Sequence, residues 1–200
     1  MGSIAAEIES KIRRIVVPDG YDITVKGEVS SMRDSFQKLG YGLLLAVILV
    51  YLVLAGQFRS FSDPLLILVT VPLGLSGVLT TLWLTGTRVN IQSFIGVTFM
   101  VGIAVSNGIL LVEFANRARA EGAEASAAAR SAARQRLRPV LMTALAGSLG
   151  VLPMAIGIGH GSESNTPLGR AVLGGLAAST LLTLFVLPSL FVAVKRKVAR

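Results

Sequence analysis

The stretch that most limits what this chain can fold into is Ile91–Phe114, IQSFIGVTFMVGIAVSNGILLVEF. It is mostly apolar up to Val105, carries the polar pair Ser106-Asn107 past its middle, and has one carboxylate, Glu113, near its end. As a helix at ~1.5 Å per residue it is ~36 Å long, enough to cross a hydrocarbon core of ~30 Å. An unpaired amide in hydrocarbon costs on the order of 1–3 kcal/mol, so Asn107 is expected to bond a neighbouring helix. Gly102 and Ser106 lie one turn apart on one face, and Ala104 and Gly108 do so on the next. Small residues at that spacing let another backbone come close. Two readings of Ser106-Asn107 stand side by side: packing glue, or a polar site kept in the membrane for its function.

Composition agrees with a membrane protein. Of 200 residues, 52% are hydrophobic and 15% charged, with a mean hydropathy of +0.70. A soluble domain has about a quarter of its residues charged. The net charge of +8 would suggest nucleic acid in a soluble protein. Here the bases fall in short segments between apolar runs, which is the positive-inside pattern, and no aromatic residues interleave with them as stacking platforms. A nucleic-acid partner is therefore not expected, and membrane lipid is. With no cysteine and one histidine, His160 in a glycine-rich loop, neither a metal site nor a cofactor is expected.

The segment 1–38 is soluble in character. Ile4, Ile8, Ile12 and Ile15 share a helical face, Pro18-Asp19-Gly20 is a turn, and Tyr21–Val29 alternates as a short strand. One helix and one strand cannot bury a core, so this piece reads as the edge of a larger domain. Apolar runs then predict membrane helices at about 39–56, 64–84, 91–114, 139–158 and 167–194, with a kink at Pro72. Between the third and fourth, AEASAAARSAARQ is a strong helix former too polar to span, and predicts a separate surface helix over about 120–135. Residues 195–200 form a basic tail. The fold class expected is an all-α membrane protein of five spans and one surface amphipathic helix, with a small α/β remnant at the amino end.

Five spans place the termini on opposite sides. Arg59, the arginines of the 117–138 linker and the basic tail share one side, while Arg88 and Arg170 stand on the other. The expected orientation is amino end outside and carboxyl end in the cytoplasm. No signal peptide precedes the exported segment, which suggests that something ahead of it sets the topology, or that the chain is a natural truncation.

Four long blocks resemble the carboxyl-terminal membrane region of resistance–nodulation–division (RND) efflux permeases of the drug and hydrophobe type. They are LLLAVILVYLVLAGQFRSFSDPLLILVTVPLG at 43–74, VGIAVSNGILLVEFANR at 101–117, RLRPVLMTALAGSLGVLPMAIG at 136–157 and PLGRAVLGGLAASTLLTLFVLPSLF at 167–191. The resemblance covers about residues 20–194. It implies a periplasmic porter-domain remnant at the amino end and the last five of twelve membrane helices. It also implies a proton/substrate antiporter of the bacterial inner membrane. The implied partners are the amino-terminal half of the permease, further copies in a homotrimer, a periplasmic adaptor and an outer-membrane channel.

In that family, protons load onto an acidic pair on a helix of the amino-terminal half. By position, Ser106, Asn107, Arg136 and Thr143 match its polar partners, although many drug exporters have Lys where Ser106 stands. Arg136 reads equally as one more positive-inside arginine, and Thr143 as a residue bonding its own helix backbone. Glu113 is expected to reach the interface or to pair with Arg117. Gly102, Gly108, Gly147, Gly150, Gly174 and Gly175 read as helix-packing sites. An enzyme would need a nucleophile with a base, or a metal cluster, and neither pattern appears. The rival to a transporter is a non-transporting scaffold or an inactive fragment.

Overall fold

In a computed structural model, the described residues are 28–159 and 162–198, with Lys11. The chain divides into two compact units at Leu44/Leu45, and the second, Leu45–Arg200, holds the helices that matter here. In order, the helices are α1 (Glu28–Phe58), α2 (Ser62–Leu68), α3 (Thr70–Leu84), α4 (Ile91–Ala120), α5 (Ala125–Ile156) and α6 (Thr166–Val198), with a 3₁₀ turn at Ser162–Ser164. Five stretches are long and apolar enough to cross a membrane: Asp34–Phe58, Ser62–Leu84, Ile91–Ala120, Ala125–Ile156 and Thr166–Lys195. All five overlap the spans expected from sequence. There is no strand among the described residues. The expected amino-terminal helix and most of the strand at 21–29 lie outside them, but Glu28 and Val29 are already the start of α1.

Two boundaries differ from the sequence reading. The second span carries the disturbance expected from Pro72, placed one turn earlier: its helix is interrupted at Val69, between α2 and α3. The cause is the proline itself. Its ring clashes with the carbonyl one turn back, and it has no N–H to offer that carbonyl, which belongs to Leu68. Leu68 is the last residue of α2. The Thr70 hydroxyl donates to the Ile67 carbonyl at 2.6 Å and so satisfies one acceptor at the break. The second difference is at residues 120–135. No separate surface helix forms, because α5 runs unbroken from Ala125 through Pro139 to Ile156. Proline costs one backbone hydrogen bond there, and the alanine-rich run before it is a strong enough helix former to continue. α5 stops at Gly157, which takes the left-handed cap conformation at φ 83° that glycine adopts without strain.

α6 is the hub, packed against α3, α4 and α5. Glycines set how closely it can approach them. A Cβ on Gly77 of α3 would strike Ala178 and the Gly174 carbonyl, and one on Gly174 would strike Thr81. Met100 of α4, fully buried, fills a notch between Gly74 of α3 and Gly175 of α6. Further along, Gly96 meets Ala171 and Gly169 meets the backbone of Ala155. Sequence singled out Gly174 and Gly175 but passed over their counterparts on the facing helices. In α1, residues 45–58 alternate between exposed and half-buried apolar side chains, and Leu54 is the buried exception.

Candidate functional site

The polar pair of α4 is split by the helix. Asn107 is buried at 8% exposure, whereas Ser106 is exposed. The angular step of about 100° between consecutive helical residues explains this. Gly102, one turn before Ser106, also looks into open space, as does Gly150 on α5. Gly108 packs instead. A Cβ there would stand 3.1 Å from Ile67 Cγ2 of α2 and 3.7 Å from Leu187 of α6. A Cβ on Gly147 would likewise stand 3.1 Å from Leu176 Cδ1.

Asn107 was expected to bond a neighbouring helix, but it makes no side-chain hydrogen bond among the described residues. Thr143 is exposed and bonds the Val140 carbonyl of its own helix at 3.0 Å. The Arg136 guanidinium lies 4.0 Å from the centroid of the Phe114 ring, tying α5 to α4 by a cation–π contact. Its Nε is buried without a hydrogen-bond partner. No hydrogen bond joins any two of Ser106, Asn107, Arg136 and Thr143 among the described residues. Glu113 and Arg117 meet at 3.5 Å in a solvent-exposed pair. Two open grooves lie nearby. One, of about 350 Å³, is lined by Ala127, Arg130, Ser131, Arg134 and Gln135, and the other, of about 200 Å³, includes Phe114, Arg117, Glu121 and Ala132. No three of His, Cys, Asp and Glu come together as metal ligands would among the described residues.

Sequence reasoning missed a buried ionic cluster. Asp63, 2% exposed at the start of α2, lies with Oδ1 2.6 Å from the Lys195 ammonium at the end of α6. This is a close ion contact rather than an aligned hydrogen bond. Its Oδ2 accepts a hydrogen bond from Asn116 Nδ2 of α4 at 2.8 Å. By sequence Asp63 falls just before the span expected at 64–84, and Lys195 opens the basic tail. The available signal was one carboxylate directly before an apolar run and one base directly after another, at ends that alternating spans bring together. Sequence also passed over the buried α6 hydroxyls Thr180 and Thr183, both unpartnered among the described residues.

Five membrane-length helices, one of them the hub α6 on which α3, α4 and α5 pack, with polar groups held at the helix ends and inside the bundle, define a multi-pass membrane protein. Its sequence matches the profile of the AcrB/AcrD/AcrF family over residues 1–195, and the chain belongs to that family of RND permeases, which are inner-membrane proteins. The cobalt-zinc-cadmium resistance protein CzcA of Cupriavidus metallidurans is 38% identical over 198 residues, covering 98% of this chain and 19% of that protein. The toluene efflux pump membrane transporter TtgB of Pseudomonas putida is 35% identical over 195 residues, 96% of this chain and 19% of its own length. The crystal structure of a heavy metal efflux pump superposes with a TM-score of 0.81 at 32% identity, covering 98% of this chain and 19% of that one. The chain thus spans about a fifth of the length of these relatives.

Proposed function

We propose that this chain forms the carboxyl-terminal membrane part of a proton-driven RND efflux permease that exports hydrophobic compounds by antiport. The observation that carries the reading is a polar set that no hydrogen bond links together among the described residues of this chain. Ser106 and Thr143 are exposed, Asn107 is buried without a hydrogen bond, and Arg136 holds a buried Nε without a partner. Leaving buried polar groups unpaired is costly, so these groups are answered by helices of the remaining four-fifths of the permease. An acidic pair on that part would change its attraction to Arg136 on protonation, and the change would be read as a shift in helix packing. Ser106, Asn107 and Thr143 answer through hydrogen bonds alone. The chain is no enzyme in this reading: it moves its substrate unchanged.

The permease sits in the bacterial inner membrane with the amino end of this chain periplasmic and the carboxyl end cytoplasmic. It works as a homotrimer with a periplasmic adaptor and an outer-membrane channel. The similarity to TtgB favours hydrophobic substrates. A second reading, metal-ion export, is favoured by the 38% identity to CzcA. A full-length permease carrying this chain should protect an efflux-deficient host against lipophilic toxicants. Protection against cobalt, zinc and cadmium alone would replace the first reading with the second. Protection against neither would leave a non-transporting scaffold.

A further inference from the structure

We infer that Asp63 and Lys195 are a positioning pair that sets the seating of α2 against α4, and through it the polar pair on which coupling was proposed above to depend. Three observations meet here. The first is the clamp itself: Asp63 is fixed on both carboxylate oxygens, by Lys195 of α6 and Asn116 of α4. Lys195 also lies 5.7 Å from the ring of Phe191, which is fully buried, so the cation is held as well as the anion.

The second observation is the break at Val69. It interrupts the hydrogen-bond ladder of the span one turn before Pro72, between the anchored end that carries Asp63 and the rest of the span. The third is what α2 carries at its other end. Ile67 is fully buried and lies against Gly108, the residue next to Asn107. Asp63 and Ile67 are one turn apart, so their side chains share a face of α2. A shift at the clamp must therefore move Ile67 against Gly108, because a packed core transmits small displacements instead of absorbing them. In this proposal Asp63 and Lys195 act through α4.

The test uses a full-length permease carrying this chain. A Cβ at Gly108 would lie 3.8 Å from the Ile67 Cβ, close to the ~3.8 Å spacing of disulfides. Ile67→Cys with Gly108→Cys should therefore cross-link under mild oxidation. Adding Asp63→Asn should lower the cross-link yield several-fold. Asp63→Asn without the cysteines should lower the maximal efflux rate several-fold in proteoliposomes and leave the half-saturating substrate concentration unchanged. The swap Asp63→Lys with Lys195→Asp should restore most of both. Asn116→Leu is the milder variant if Asp63→Asn fails to fold, and it should act in the same direction. Wild-type yield and efflux in these variants would overturn the proposal, as would a swap that restores neither. Asn107→Leu separates this proposal from the one it rests on: wild-type efflux in that variant removes the relay reading, while the cross-link still reports the clamp.

Discussion

The two ends of the bundle are tied by opposite means. At one end Arg170 of α6 reaches neutral acceptors: its Nε donates to the Ala155 carbonyl at 3.1 Å and its Nη1 to Thr87 Oγ1 at 2.6 Å, with the Thr85 carbonyl at 3.4 Å. At the other end Lys195 of the same helix, itself half-buried, meets a buried carboxylate, Asp63. Both ties start from one cation of α6: Arg170 reaches two other elements directly, and Lys195 reaches α4 through Asp63. They differ in what happens when one member is lost. The arginine clamp leaves neutral groups behind, whereas the lysine clamp leaves a buried charge. One end can therefore tolerate drift in sequence, and the other has to keep or lose its pair as a unit.

That contrast can be broken experimentally. Lys195→Met strands Asp63 as an unpaired buried carboxylate and should cost about 3–5 kcal/mol of stability, read as a lowered Tm of the purified protein in detergent. Asp63→Leu combined with Lys195→Met removes both charges and should recover most of that loss. A double variant as unstable as the single one would mean that the pair itself, not the stranded charge, carries the energy. Arg170→Met should cost less, roughly 1–3 kcal/mol, since it abandons hydroxyl and carbonyl acceptors only. If it matched Lys195→Met, the distinction between the ends would fail. Glu113→Ala is the smallest change, within about 1 kcal/mol, because its pair with Arg117 is exposed on both sides.

The helices themselves were legible because apolar runs of membrane length admit few alternatives. The break at Val69 was legible only in part: Pro72 announced a disturbance, and its displacement to the preceding turn follows from where the ring meets the chain. The continuity of α5 was not legible, since arginine content speaks to solvation and says little about whether a helix continues through Pro139. At the candidate site, sequence named Asn107 and the glycines of α6, because polarity and smallness are properties of single residues. It could not pair Asp63 with Lys195, which are far apart in the chain and each ordinary at a membrane boundary. Gly74 and Gly77 escaped for the same reason: what makes them matter is Met100 and Gly174 on other helices.

The most direct test of the whole account is proton flux measured with and without substrate in proteoliposomes, for the chain alone and for a full-length permease carrying it. Proton coupling needs a group that changes charge inside the membrane, and Ser106, Asn107 and Thr143 do not titrate, while arginine stays protonated at any workable pH. The isolated chain should insert and move neither protons nor substrate. The full-length permease should show substrate-stimulated flux that Asn107→Leu lowers. Coupled flux through the isolated chain would contradict the account and place the proton carrier among residues described here as packing.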